Sequence, residues 1–275
     1  MLSLEFAVNH MTAPQLSLAD FFVLASKINA PRVEIRNDIS GQAILDGTPA
    51  AEVKRLAAAH GVTIITINAL QKFNLWSEAR AAEAEALARY CAESGAEALV
   101  LVADNSGQAI DGATRIAHAT EALKGLAPIL RRHGIIGLVE CLGFETCTLR
   151  SKKEAVAAID AADGRDVFRL THDTFHHHLA GEADIFPELT GLIHISGVDD
   201  PLIAVRDMRD SHRLLVGPKD RLDNIGQIAA LRRGGYTGPL SFEPFAEELR
   251  QLPDPAAALE ASMQFITEAL RAQAA

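Results

Sequence analysis

The chain has 275 residues, of which 48% are hydrophobic but only 5% aromatic, a balance that suits parallel strands buried beneath helices better than two stacked sheets. A formal charge of −10 and a pI near 5.5 exclude the broad cationic footprint that a phosphate backbone requires, so no nucleic-acid partner is expected. No apolar run approaches the roughly 18 residues that span a bilayer, and MLSLEFAVNH at the start has no basic stretch ahead of an apolar one, which predicts a soluble, cytoplasmic protein with no membrane partner.

Strand-like and helix-like segments alternate from one end to the other. Strands are predicted at 3–10 (SLEFAVNH), 32–38 (RVEIRND), 62–70 (VTIITINAL), 98–105 (ALVLVADN), 135–144 (IIGLVECLGF), 167–175 (VFRLTHDTF), 191–198 (GLIHISGV) and 239–245 (PLSFEPF). Each is short, rich in aliphatic or β-branched residues, and mostly bounded by Gly, Pro or Asp. Between them the helices carry readable punctuation. Thr48-Pro49 and Asp254-Pro255 each set a capping side chain before a proline at the first helical position, and Ser151-Lys152-Lys153-Glu154 has the form of a capping box. The pairs His60-Gly61 and His133-Gly134 end helices with a glycine suited to the left-handed cap, and Pro128 is expected to kink the fourth helix.

The unit recurs about every 30 residues, the size of a βαβ element. Eight such units with no linker predict a single (β/α)8 TIM-barrel domain over 1–275, and the missing glycine-rich fingerprint after the first strand argues against a dinucleotide fold. The segment 199–221 is the longest without periodicity, and it follows the seventh strand, where a barrel keeps functional loops. Cys91, Cys141 and Cys147 are odd in number and lack CxxC spacing, which predicts reduced interior thiols rather than a disulfide framework or a thiolate zinc site.

Four of the predicted strands end in a residue able to bind metal: Glu140, Asp173, His194 and Glu243, on strands five to eight. Strand ends converge at the C-terminal mouth of a parallel barrel. Three carboxylates and one imidazole there would form an oxygen-rich site for one divalent cation (Mn²⁺, Mg²⁺, Zn²⁺ or Co²⁺) with positions left for substrate, provided that all four share one layer and reach a point at about 2.0–2.2 Å. Glu34 and Arg36, expected on alternating sides of strand two, are either substrate contacts or a rim ion pair. His10 stands at the end of strand one. Phe73 and Trp76, after strand three, either cover the substrate as an apolar lid or pack on a neighbouring loop.

Beyond these positions the chain carries Glu34-Ile35-Arg36, Asn68-Ala69-Leu70, Cys147-Thr148, DTFHHHLAG at 173–181, His194-Ile195-Ser196, the stretch Arg213 to Gly217, and SFEPF at 241–245. Over almost its full length it thereby resembles the xylose isomerase-like sugar isomerase/epimerase superfamily, and within it the inosose (2-keto-myo-inositol) isomerases. The resemblance implies a divalent-metal-dependent isomerase working through an enediolate on a small sugar or cyclic polyol. Glu140, Asp173, His194 and Glu243 are the implied metal ligands, with Glu140 and Glu243 also transferring protons. His176 and Arg213 take the implied places of substrate contacts. Read as alternating along an extended segment, His177 would be structural and His178 a second candidate.

Two segments depart from the inosose isomerase pattern. Ser196-Gly197 replaces an acidic pair after the strand-seven histidine, and Val216-Gly217-Pro218-Lys219 replaces a Pro-Gly-x-Gly loop. A ketose 3-epimerase, a hydroxypyruvate isomerase or an inosose dehydratase would use the same metal set and stays open as an alternative. The apurinic endonuclease branch is opposed by the acidic balance and the small ligand count, and a non-catalytic polyol-binding barrel by the intact set of four. Both a monomer and a homo-oligomer are compatible with the sequence.

Overall fold

The computed structural model describes residues 4–41, 44, 46–107 and 110–273. Among these, eight parallel strands close into a barrel in sequence order, β8 returning to pair with β1. They are β1 (Phe6–Asn9), β2 (Arg32–Arg36), β3 (Thr63–Gln71), β4 (Ala98–Val102), β5 (Ile136–Glu140), β6 (Phe168–Asp173), β7 (Thr190–Ile195) and β8 (Leu240–Phe242). Eight α-helices alternate with them: α1 (Leu18–Lys27), α2 (Ala50–Ala59), α3 (Glu78–Ser94), α4 (Gly112–His133), α5 (Lys152–Ala161), α6 (Thr174–Ala180), α7 (Asn224–Arg233) and α8 (Pro255–Gln273). All eight predicted strands exist, and most are shorter than predicted. Ser3, the expected start of the first strand, lies outside the described residues. β8 stops before Pro244, which has no N–H to offer a ladder.

Strand side chains divide by parity into two sets. One set, including Val33, Ile35, Leu99, Leu101, Val139, Phe168 and Phe242, packs outward on the helices in the main core. The other set, Ala7, Ile65, Ala69, Ala98, Val100, Leu138 and Leu192, fills the barrel interior as an apolar plug. Above that plug, toward the strand C-termini, the interior becomes polar, so the plug forms an apolar floor for whatever binds there.

Helix punctuation is largely as the sequence suggested. Asp254 accepts the Ala257 amide at 3.1 Å, and Gly61 and Gly134 have φ of 66° and 67°. Two expectations need correction. Pro49 itself is the cap of α2 with no side-chain bond, because Thr48 lies one residue too early and donates to Asp46 instead. The capping box on α5 is half made: Ser151 accepts the Glu154 amide, but the Glu154 carboxylate is occupied by Arg115, and Glu182 receives the Lys152 and Lys153 amides. The helix α4 continues unbroken on both sides of Pro128. Among the described residues, no helix is long and apolar enough to cross a membrane.

Candidate metal centre

Each of the four strand-end residues owes its position to a different local device. Glu140 closes β5 in register with Thr171, His194 is level with Asp173 on one side and Ser241 on the other, and Glu243 follows β8 directly. The offsets climb around the barrel with the strand tilt, so residues that are not register partners come to one level. A register shift between Leu170 and Thr171 re-aims the end of β6. Asp173 there performs two tasks: its Oδ1 accepts the Phe175 and His176 amides at 2.8 and 3.0 Å, capping α6, while Oδ2 faces the site.

One donor atom from each of Glu140, Asp173, His194 and Glu243 lies within 4.8 Å of the other three, and all four residues are buried. Four atoms so spaced share a point about 3 Å away, and a contraction of about 1 Å would bring them to metal-bonding distance. The imidazole is oriented for this task. His194 Nδ1 lies 3.0 Å from Glu140 Oε1, 3.2 Å from Glu243 Oε2 and 3.9 Å from Asp173 Oδ2. Its other nitrogen, Nε2, lies 3.1 Å from Glu34 Oε2.

The charge balance also fits a divalent ion. Four buried carboxylates, Glu34, Glu140, Asp173 and Glu243, face the buried guanidinium groups of Arg36 and Arg213. With His194 neutral, as a metal on its Nδ1 would require, two negative charges are in excess, before counting the partly exposed Asp38 on the other edge of Arg36. Such an excess is costly away from water, and an ion of charge +2 would remove it. Burial alone would lower the His194 imidazole, but the negative charges of Glu243, Glu34 and Glu140 outweigh it and raise it well above its ordinary value. Burial pushes the Glu140 carboxyl up, with His194 opposing. Burial acts upward on Glu243 too, yet His194, Arg213 and Arg36 together hold it well below the carboxylate range.

Arg213 is buried and donates through Nη2 to Asp173 Oδ2 at 2.6 Å and Glu243 Oε2 at 3.1 Å, and through Nε to Ser196 Oγ at 2.9 Å. The residue comes from the predicted functional segment 199–221. That segment is irregular but anchored, with Met208 buried against Phe175, Leu179, Val198 and Leu222. Arg36 donates to Glu243 Oε1 at 2.9 Å and pairs through two bonds with Asp38. Phe245 lies under both guanidinium groups, 4.7 Å from Arg213 and 5.5 Å from Arg36.

His176 is buried, its ring edge-on to Phe144 at 5.1 Å, with Nδ1 lacking a partner among the described residues. Phe144 and Asp210, which touch His176 and Arg213 respectively, also line a cleft of about 500 Å³ at the mouth.

Several expectations need correction. Glu34 and Arg36 are two apart on a strand, which places them on the same face rather than on alternating sides, and both point inward. They form no rim pair with each other. Glu34 is fully buried beside the cluster, with both oxygens taken by Ser241, Thr66, Asn68 and His194, so no edge is open to a substrate. The three consecutive histidines lie on α6, not on a strand, so they fan around a helix: His177 turns to Lys152 at 2.6 Å and His178 to partial exposure. His10 stacks on Phe21 at 4.3 Å and bonds the Leu16 carbonyl, a packing role. Phe73 is buried in the core, and Trp76 lies so close on Gly125 of α4 that a Cβ there would meet its ring at 2.2 Å. Neither forms a lid.

Sequence reasoning missed Asn9 and Thr66 and quoted Asn68, Ser196 and Ser241 only within motifs, whereas all five tie the charged residues together. The signal was present as polar residues two apart on or just after strands: Thr66 and Asn68, His194 and Ser196, Ser241 and Glu243.

Comparison with known proteins places this geometry in context. A family described as the xylose isomerase-like TIM barrel matches residues 22–269. The chain is similar to a xylose isomerase domain containing protein from Salmonella typhimurium LT2, with 33% identity, a TM-score of 0.88, and coverage of 98% of this chain and 100% of that one. It is also similar to the IOLI protein, solved with a zinc atom, at 20% identity and a TM-score of 0.85 over 98% of this chain and 99% of that one. A D-allulose 3-epimerase from Methylomonas sp., solved with D-allulose, aligns at 20% identity and a TM-score of 0.72 over 96% of each chain. At 20% identity these last two likenesses concern the fold alone. No curated protein matches the sequence.

Proposed function

The chain belongs to the xylose isomerase-like TIM-barrel family, and from that premise we propose that it is a divalent-metal-dependent isomerase, a single domain over 1–275, that moves the carbonyl of an inosose to the neighbouring carbon. The observation that carries this proposal is the convergence of Glu140, Asp173, His194 and Glu243 within 4.8 Å. A divalent cation held by those four residues supplies polarisation of the substrate carbonyl and neutralises negative charge developing on its oxygens.

The protein's own residues then move the proton. One of Glu140 and Glu243 takes it from the carbon beside the carbonyl, giving an enediolate, and the other returns a proton to the former carbonyl carbon. The hydroxyl proton passes from the neighbouring oxygen to the former carbonyl oxygen, and the two glutamates regain their starting protonation by exchange with solvent. The two are restrained unequally. Glu243 is held through Oε1 by Arg36 and Asn9 and through Oε2 by Arg213, whereas among the described residues Glu140 is held only by His194. Glu140 is therefore the freer to turn toward a substrate carbon. His176, with a buried nitrogen that has no partner among the described residues, offers a hydrogen bond to a substrate hydroxyl, and the apolar residues below the site offer the proton no competing acceptor.

A ketose 3-epimerase is the second reading, kept open by Ser196-Gly197 and Val216–Lys219, where the chain departs from the inosose isomerase pattern. Incubation in D₂O with 2-keto-myo-inositol or linear ketoses and each of Mn²⁺, Mg²⁺, Zn²⁺ and Co²⁺, followed by NMR, separates the two. The expected result is an isomeric keto-inositol deuterated at the carbon that receives the proton. Turnover of a linear ketose with keto-inositol untouched would leave the proton chemistry standing and overturn the inositol substrate. Product that has lost water would mark a dehydratase.

A further inference from the structure

We propose that Glu34 is a positioning residue that acts through His194, fixing which ring nitrogen faces the other three ligands, a role that rests on the metal centre proposed above. Glu34 reaches inward from β2 immediately after a register shift between Val33 and Glu34. Its carboxylate meets donors from three other strands. Thr66 Oγ1 and Asn68 Nδ2 of β3 reach Oε2 at 2.6 and 2.8 Å, the Ser241 hydroxyl of β8 reaches Oε1, and His194 Nε2 of β7 lies 3.1 Å from Oε2.

The surrounding bonds settle the direction of each contact. Asn68 Nδ2 also donates to Thr66 Oγ1 at 2.9 Å, so the Thr66 hydroxyl accepts there and spends its own proton on Glu34. An ionised carboxylate only accepts, so the ring nitrogen facing it must carry hydrogen. Nδ1 faces carboxylates too, Glu140 at 3.0 Å and Glu243 at 3.2 Å, so without a metal it also donates. A cation among Glu140, Asp173 and Glu243 would displace that proton, and the one hydrogen left on the ring would be the Nε2 hydrogen that Glu34 accepts. A carboxylate that takes the second N–H of a metal-binding imidazole holds the ring plane and strengthens the nitrogen as a donor, and loss of such a partner costs about 10–100-fold in metal affinity. Glu34 has no exposed surface and both its oxygens are taken, on the side of the imidazole away from Glu140, Asp173 and Glu243, so it acts through the histidine and does not touch substrate.

Zinc affinity measured by competition with a chromogenic chelator tests this. Glu34→Gln should bind Zn²⁺ about 10–100-fold more weakly than the unaltered chain, with unchanged far-ultraviolet circular dichroism, while Ser241→Ala, which leaves the Oε2 contact to His194 intact, should stay within a few-fold. Equal zinc affinity in Glu34→Gln and the unaltered chain, with only KM raised, would overturn the positioning role in favour of a substrate contact. If Glu34→Gln does not fold, ¹⁵N NMR of the zinc-loaded unaltered chain decides: a proton on His194 Nε2 supports the role, and a proton on Nδ1 overturns it. An unaltered, folded chain that binds no zinc would instead overturn the metal centre itself.

Discussion

At the scale of single residues, the four proposed ligands divide by what else holds them. Asp173 and His194, held by the α6 amides and by Glu34, have metal binding as their only proposed task, whereas Glu140 and Glu243, beside the Nδ1 face of the imidazole, are also proposed to move protons. Asp173→Ala and His194→Ala should therefore lose metal first. Glu140→Gln and Glu243→Gln should retain metal at saturating concentration but lose turnover by about 10²–10⁴-fold, the usual contribution of a positioned acid or base. Steady-state kinetics alongside metal titration would show it, and full activity in both Gln variants would exclude proton transfer by these groups. The ligand types were legible in the sequence because Glu, Asp and His are rare at the ends of strands that are otherwise buried and apolar. Ser241, Thr66 and Asn68 were not, since a single small polar residue in a strand is ordinary and only its period-two pairing with another polar or charged residue marks the inward face. The alternating-side view of Glu34 and Arg36 failed on that same period.

At the scale of elements, the short α6 and the loop after β5 set the geometry around His176. Gly143 packs where a Cβ would fall 2.1 Å from the His176 carbonyl oxygen, a backbone atom that cannot turn aside. Gly143→Ala should push α6 away from the site, costing about 1–3 kcal/mol as overpacking does and lowering turnover. Gly61→Ala, where nothing lies within 4 Å but φ is +66°, should cost about 1 kcal/mol in backbone strain without affecting activity. Thermal melts and kinetics on the two variants compare them directly. The alternation of strands and helices was readable because apolar runs and caps repeat at each unit. The register shifts beneath Glu34 and Asp173 were not, because a bulge changes pairing without changing composition. The helix holding the three histidines was also hidden, since its start depends on the Asp173 side chain turning to cap it.

At the scale of the whole molecule, acid should destabilise the fold through its buried neutral histidines. Burial lowers His10 to about 4, the Leu16 carbonyl opposing and Arg36 assisting, and burial with the Lys152 charge lowers His177 to about 4. The unfolded chain binds these protons near 6.5 and the folded chain only near 4, so this part of stability is complete above about pH 6.5 and is lost as pH falls through 4. Melting temperature should drop over that window, less steeply in His10→Gln, and an identical slope in the variant would contradict the assignment. In the opposite sense, a bound divalent ion should stabilise the barrel by about 2.7 kcal/mol at a hundred times its dissociation constant, since the centre draws on strands β5 to β8 together. The most direct measurement is the metal content of the purified chain by elemental analysis, after loading with Zn²⁺ or Mn²⁺ and removal of free ion. One equivalent per chain is expected, lost in Asp173→Ala and His194→Ala; a folded chain that retains no stoichiometric metal, or a His194→Ala variant that retains the full equivalent, would contradict the metal centre.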